Sequence, residues 1–417
     1  MQAVISYKII ALIKDYIHKN KQLSTRLIDF TIILSLPLIW LFFEWLRSWV
    51  FTGFPWLYAG YSQTETILFN YAPIVGIYGL GFMVSFISSI IAHLFFYKKY
   101  YSLNRLWVLP IIIIAIAIYL DRIEWTKQHG TPIKITMIQG NISQHDRWSS
   151  DFLSNILYQY QNMSEGYWGK TDLLIWPENA IPTFYHYLQD SFYADIQKKV
   201  NDSGTIFITG LPFQNTETRK YYNSLLRMSE NSTTFYYKQH LVPFGEYLPL
   251  DRFLRGIIDF FNLPMSNFSV SNQKAQPLKI GNHLAAISLC YEDSFPELSL
   301  KQLPEAHYLL NLSNNGWYGD SFAPHQHLQI SRFRAMEAGR ELIRSTTSGI
   351  SAIIGHKGQL KQKTDQFIAT DLTGEISPRV GTTPYVKSPI MNNIILVIVI
   401  LLLTLLLLPK RQTFEKD

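Results

Sequence analysis

The stretch HLAAISLCYEDSFPE, His283 to Glu297, decides how the rest of the chain is read. It opens on a short apolar run, reaches the only cysteine of the 417 residues at Cys290, and passes directly into Glu292 and Asp293. A short apolar run closed by polar residues reads as a strand buried on both faces. The pattern recurs outward in both directions: IKITMIQGN (133–141), TDLLIWPEN (171–179), GTIFITGLPF (204–213), TTFYYKQHL (233–241), AHYLLNLSNNG (306–316) and GISAIIGHKG (349–358). Polar stretches at Phe152–Glu165, Tyr187–Asn201 and His325–Ile343 read as helices between them. Alternation of this kind argues for an α/β domain of layered sheets and helices. No internal repeat interrupts it, and DRIEWTKQHGTP (121–132) reads as the hinge that opens it.

Three chemically useful residues close such runs: Glu178, Lys238 and Cys290. Functional groups gather where strands of α/β sheets end, because the loops there are free to shape a site. A thiol is a nucleophile once its proton is removed, a carboxylate can remove it, and a lysine can stabilise the oxyanion that follows attack on a carbonyl. Amide, nitrile and ester substrates all satisfy that logic. Each residue also has a plain reading: a buried small hydrophobe for Cys290, a helix start for the Pro177-Glu178 pair, a solvated cation for Lys238. The coincidence of all three favours chemistry. His325 and His327 are not a metal pair, because residues two apart on a helix do not face one site.

The flanks of this domain are apolar. Hydrophobic residues make up 47% of the chain and aromatics 15%, with much of the aromatic weight in the first hundred residues. Four segments read as membrane spans: Arg26–Arg47, Thr66–Tyr97, Leu106–Leu120 and Ser388–Pro409. The second and fourth are long enough to cross a bilayer, while the first and third are borderline and also fit buried core helices. The net charge of +6 follows topology. Lysines and arginines precede the first span, fill the 98–105 loop and follow the last span, whereas SWVFTGFPWLYAGYSQTE (48–65) contains none. The positive-inside rule puts both termini in the cytoplasm and residues 122–387 on the outer face, so the basic balance does not signal nucleic acid. The spans lack the paired intramembrane charges of a transporter. A single cysteine excludes an internal disulfide.

The order WPE (176–178), KQHLVPFGEYLP (238–249), CYEDSFPE (290–297) resembles the nitrilase (carbon–nitrogen hydrolase) superfamily and its Glu–Lys–Cys triad. FTGFPW (51–56), IQGNISQ (138–144), NLPMSNFS (262–269), NLSNNGWYGDS (311–321) and QISRFRAMEAGRELIRSTTSGIS (329–351) extend the resemblance to one branch, the apolipoprotein N-acyltransferase family. It covers the chain from about residue 26 to the end.

The resemblance implies a nitrilase-like αββα sandwich inserted between transmembrane helices. The expected divisions are a cytoplasmic segment (1–25), a membrane domain of about three helices (26–121), an extracytoplasmic catalytic domain (122–387), a last transmembrane helix (388–409) and a cytoplasmic tail (410–417). It further implies a multi-pass protein of the bacterial inner membrane with its catalytic domain on the periplasmic face. The implied reaction moves an acyl chain from a phospholipid, phosphatidylethanolamine foremost, through a Cys290 thioester to the N-terminal amine of a diacylglyceryl apolipoprotein. No cofactor or metal is implied, and the protein is expected to be a monomer. Glu178 is the implied base, Lys238 the oxyanion stabiliser and Cys290 the nucleophile. Glu246 is implied to position the triad, and Tyr291 and Glu292 to stand beside the nucleophile. Trp148 is implied on a loop that admits lipid, and Trp317 lies in NNGWYG, whose Asn and Gly suit a flexible lid. Family members usually carry about twice as many spans as are counted here, so the start reads as shortened. The alternatives are a membrane-tethered amidase or nitrilase-type hydrolase, and an inactive member with a binding or scaffold role.

Overall fold

The computed structural model describes residues 8, 11, 25–96, 107–144, 147–148, 150–230, 232–248 and 267–388. The chain divides into two compact units, one of which is Glu124–Val386.

The described part of the other unit contains three helices. Helix α1 (Thr25–Arg47) contains Pro37. Helix α2 (Ala72–Phe96) is broken at Gly76, whose φ of 61° lies outside the helical range. Helix α3 is Val108–Leu120. Between α1 and α2 the chain runs through short 3-10 turns, pinned where the Ala59 amide donates to Glu44 Oε1 at 2.7 Å. Tyr71 Oη donates to the Ile113 carbonyl at 2.8 Å and so ties the start of α2 to α3. Among the described residues one helix, Ile67–Phe95, is long and apolar enough to cross a membrane, with a mean hydropathy of 2.1 over its best window; α3, at 13 residues, is shorter. Apart from Ser388, the expected span 388–409 lies outside the described residues, as do the tail 410–417 and nearly all of 1–25.

The larger unit is a four-layer sandwich. Its strands are β1 (Thr126–Gln128), β2 (Ile133–Gln139), β3 (Leu173–Ile175), β4 (Ile206–Gln214), β5 (Tyr221–Ser229), β6 (Ser232–Tyr237), β7 (Leu278–Ile280), β8 (His283–Leu289), β9 (Tyr308–Ser313), β10 (Leu342–Thr346), β11 (Ala352–Ile354), β12 (Leu360–Lys363), β13 (Thr370–Ile376) and β14 (Arg379–Gly381). One six-stranded sheet has the order β13-β2-β3-β4-β5-β6, the other β12-β11-β10-β9-β8-β7, and β1 pairs with β14. The central strands β2, β3 and β4 are parallel, as are β8, β9 and β10, and antiparallel strands close the edges.

Alternation of side chains along each strand assigns the layers. Leu173 and Ile175 of β3, Ala285, Ile287 and Leu289 of β8, and Leu310 and Leu312 of β9 fill the interior between the sheets. Leu174 and Trp176 point the other way, against Ile156 and Tyr160 of α4 (Leu153–Ser164) and Ile196 and Val200 of α5 (Phe192–Ser203). On the far side Ala286 and Leu309 meet Leu328 and Ala335 of α6 (Ala323–Ala338). Buried side chains of this size contribute roughly 1.5–3 kcal/mol each, so the double-faced runs seen in the sequence are what hold helix, sheet, sheet and helix together.

Two expected helices have different bounds. The helix expected over 325–343 ends at Ala338, where Gly339 takes the left-handed conformation (φ 61°) that stops a helix; Leu342 and Ile343 belong to β10. The helix expected from Tyr187 begins at Phe192, after a separate turn over Tyr185–Leu188.

Candidate active site

Glu178, Lys238 and Cys290 leave their strands at one edge of the sandwich. Glu178 follows the parallel strand β3, and Cys290 follows the parallel strand β8. Lys238 follows β6, which two antiparallel steps from β4 through β5 return to the direction of β4. The turn bearing Glu178 crosses β4 at Gly210, where an added Cβ would lie 2.5 Å from the Glu178 Cα. Only glycine permits that approach.

The Lys238 ammonium is buried between two carboxylates. Its Nζ donates to Glu178 Oε1 at 3.1 Å and to Glu246 Oε1 at 2.8 Å. Asn223, on β5, donates to the same two oxygens at 2.7 and 2.6 Å. The second oxygen of Glu178 accepts the Asn314 amide at 2.8 Å, and that of Glu246 accepts the Val242 amide at 2.8 Å. Both acids are therefore fixed by protein donors. Burial alone would lower the Lys238 pKa, but Glu178, Glu246 and Cys290 together raise it well above the ordinary lysine value. Lys238 is a permanent cation here.

Cys290 is buried and begins a 3-10 turn over Cys290–Ser294 with a φ of 50°, left-handed and unusual for a residue with a Cβ. Burial pushes its thiol pKa up and Glu178 adds to that, Lys238 opposes it, and Glu246 raises it again. The shift favours the neutral thiol, a form that acts as a nucleophile only where a base can take its proton.

Glu292 is buried and held by donors. Its Oε1 accepts the amides of Gln239 and His240, the latter at 3.0 Å, and its Oε2 accepts the Leu289 amide at 2.7 Å and Tyr236 Oη at 3.2 Å. It binds the backbone just after Lys238 to the backbone just before Cys290. Burial nevertheless outweighs Lys238 and these hydrogen bonds and pushes its pKa up to about 7. Tyr291 is buried with its ring edge-on to Phe295 at 5.1 Å. Trp317 is half exposed on the turn Asn315–Tyr318, and Trp148 is half-buried on the loop after β2.

Three residues that sequence reasoning did not single out, Asn223, Asn314 and Tyr318, complete the site together with Asp293, which the sequence showed only as an acid after the thiol. Asn223 bridges the two acids, and Asn314 ties Glu178 to the end of β9. Tyr318 faces the centre: burial raises its pKa, with Cys290 adding to that and Lys238 opposing it. Asp293, directly after Glu292, pairs with His327 at 2.8 Å and lies 3.6 Å from Arg344. His325, by contrast, is exposed.

Comparison with known proteins gives these features a context. The carbon-nitrogen hydrolase family model matches residues 134–385, and that of the apolipoprotein N-acyltransferase N-terminal domain matches residues 3–90. An apolipoprotein N-acyltransferase of Methylococcus capsulatus is 35% identical over 353 residues, 85% of this chain and 69% of that protein. Its counterpart in Haemophilus influenzae is 37% identical over 398 residues, 91% of this chain and 76% of that protein. A solved CN-hydrolase superfamily protein from Xanthomonas campestris is 17% identical, covering 63% of this chain and 97% of its own, with a TM-score of 0.45.

Proposed function

This chain belongs to the apolipoprotein N-acyltransferase family, and from that premise we propose that it transfers a fatty acyl chain from a membrane phospholipid to the N-terminal amine of a diacylglyceryl-cysteine lipoprotein by way of Cys290. The observation that carries the mechanism is the Lys238 ammonium held between Glu178 and Glu246 beside the chain's single thiol.

In the first step Glu178 takes the thiol proton as Sγ attacks the ester carbonyl. The oxyanion that forms is stabilised by the Lys238 ammonium, in a buried site where such a charge counts for more than in water. Collapse breaks the ester bond, and the departing lysophospholipid oxygen takes the proton back from Glu178. In the second step the α-amine of the acceptor attacks the thioester and gives its proton to Glu178. The amide forms, and the thiolate leaves and is reprotonated. The covalent intermediate divides one difficult transfer into two easier ones. Glu246, Asn223 and Glu292 serve as positioning residues. Tyr291 packs beside the nucleophile, and Trp148 and Trp317 line the lipid approach.

In this reading residues 122–387 work at the periplasmic face of the inner membrane, supported by the distribution of basic residues. The donor is phosphatidylethanolamine and the protein acts as a monomer. Incubating the detergent-purified chain with phosphatidylethanolamine and measuring its intact mass tests the proposal. An acyl-sized gain that hydroxylamine removes and Cys290→Ala abolishes is expected. Ammonia release from soluble amides without such a gain would replace the acyltransferase with a hydrolase.

A further inference from the structure

His327 lies on α6, 37 positions from Cys290 in the chain, and its imidazole is completely buried. Its Nε2 is 2.8 Å from Asp293 Oδ1 and 3.2 Å from the Cys290 carbonyl oxygen, both acceptors. Its Nδ1 is 3.1 Å from Asn315 Nδ2. The orientation of that amide is settled by Arg344, whose Nη2 donates to Asn315 Oδ1 at 3.0 Å. Asn315 therefore presents its NH2 group to the ring, and Nδ1 must accept. Packing holds the amide in place, since a Cβ on Gly349 would lie 2.5 Å from Asn315 Oδ1. One neutral tautomer satisfies these three contacts: the proton sits on Nε2 and is shared between Asp293 and the Cys290 carbonyl, and Nδ1 accepts from Asn315.

The two ends of this ring touch two turns that meet at the site. On one side is the carbonyl of a nucleophile held at a φ of 50°, a conformation that persists only where its surroundings over-determine it. Asn311 Nδ2, 3.4 Å from the same oxygen, is a weaker second hold. On the other side Asn315 opens the turn that carries Trp317 and Tyr318, directly after the Asn314 amide bound to Glu178. Burial and Arg344 keep the imidazole pKa below its ordinary range, against the pull of Asp293.

We propose that His327, as its neutral Nε2–H tautomer, is a positioning residue that fixes the nucleophile turn and the Asn315–Tyr318 turn in one register. The consequence for acyl transfer rests on the reading of Cys290 as the acyl carrier. Glutamine can supply a donor and an acceptor in place of the two ring nitrogens; phenylalanine keeps the ring and supplies neither.

The test compares full-length wild type, His327→Gln and His327→Phe by acyl-thioester formation on phosphatidylethanolamine and by iodoacetamide alkylation, which reports on Cys290 alone because the chain has one cysteine. Thioester formation is expected to fall on the order of 100-fold in the phenylalanine variant and to return to within about tenfold of wild type with glutamine. A phenylalanine variant within about threefold of wild type, or a folded glutamine variant no better than phenylalanine, overturns the proposal. If the phenylalanine variant does not fold, the 15N spectrum of histidine-labelled wild type decides, with His327→Gln identifying the signal: an Nε2–H imidazole supports the proposal, and a cationic or Nδ1–H ring overturns it. Should wild type form no thioester, the acyl-carrier reading fails. A change in Cys290 alkylation between the variants would still uphold the positioning role, and unchanged alkylation would end it.

Discussion

Glu292→Gln is the perturbation with the most distinctive outcome. Its carboxyl titrates near pH 7 in the folded protein, against an ordinary value of 4.5. A carboxyl whose folded pKa is raised contributes stability that is complete below the unfolded value and is lost as pH rises through the folded one. The window runs from about pH 4.5 to about pH 7, a difference that corresponds to roughly 3 kcal/mol. Glutamine imitates the protonated acid and does not titrate. The variant should therefore lack the fall in stability that wild type shows across this window, so that its stability relative to wild type is roughly 3 kcal/mol greater at pH 8 than at pH 4.5.

Activity should move the other way. The ionised group accepts the Leu289 amide with one oxygen and the Gln239 and His240 amides with the other. A neutral amide can keep only one of those sides, because its NH2 group faces a donor on the other. The nucleophile turn then loses its tether, and thioester formation should fall by about 10- to 100-fold, the scale of one lost positioning contact. Wild-type activity should show an acid limb near pH 7 that the variant lacks. Thermal unfolding in detergent at pH 5 and pH 8, beside thioester formation by intact mass, measures both effects. A stability difference between variant and wild type that is independent of pH would refute the reasoning by showing that the donors outweigh burial.

Other substitutions separate the remaining contributions. Glu246→Gln removes one of the two carboxylates paired with Lys238 and one that raises the thiol pKa, so iodoacetamide alkylation of Cys290 should shift to lower pH while thioester formation slows at least tenfold. Gly210→Ala forces a Cβ to within 2.5 Å of the Glu178 Cα; a destabilisation of about 1–3 kcal/mol, read as a lowered Tm, should accompany loss of activity, and a variant with wild-type Tm would contradict the packing. Trp317→Ala acts on a half-exposed side chain, so stability should change by less than about 0.5 kcal/mol while the KM for phospholipid rises; an unchanged KM would remove Trp317 from the lipid path.

What the sequence disclosed follows from where information is local. Glu178, Lys238 and Cys290 each close an apolar run, and a buried run announces both its own strand and the residue at its end. Asn223 lies inside YYNSLLRMS, and nothing local distinguishes it from a solvated amide. Its role arises from register, because the pairing of β5 with β6 makes its carbonyl accept the Lys238 amide and so sets its side chain beside both acids. Glu292 was visible as an acid next to the thiol. That its partners are backbone amides rather than substrate depends on chain 52 and 53 residues away. His327 illustrates the same limit. Its spacing from His325 argues only that the two do not face one site, and the packed helix is what shows its contacts with Asp293, Asn315 and the Cys290 carbonyl.

The site is also a joint between the two sheets, and this explains why so many buried polar groups surround one thiol. Glu178 belongs to the first sheet but is held by the Asn314 amide of the second. Glu292 belongs to the second but grips the Gln239 and His240 amides of the first. Lys238 comes from the first sheet, and its charge opposes the rise in the Cys290 pKa across the interface. A slip between the sheets of a fraction of a hydrogen-bond length would disturb Glu178, Lys238 and Cys290 at once, since such bonds weaken steeply with distance and angle. The apolar interior of Ile175, Ile287 and Leu310 prevents that slip, because close-packed cores have discrete arrangements rather than continuous ones. The thiol sits at the end of an apolar strand for this reason: interior packing fixes the strand, the crossed hydrogen bonds fix the turn, and the cysteine pKa is raised first by burial and then by the two acids, against the one lysine that the joint brings beside it.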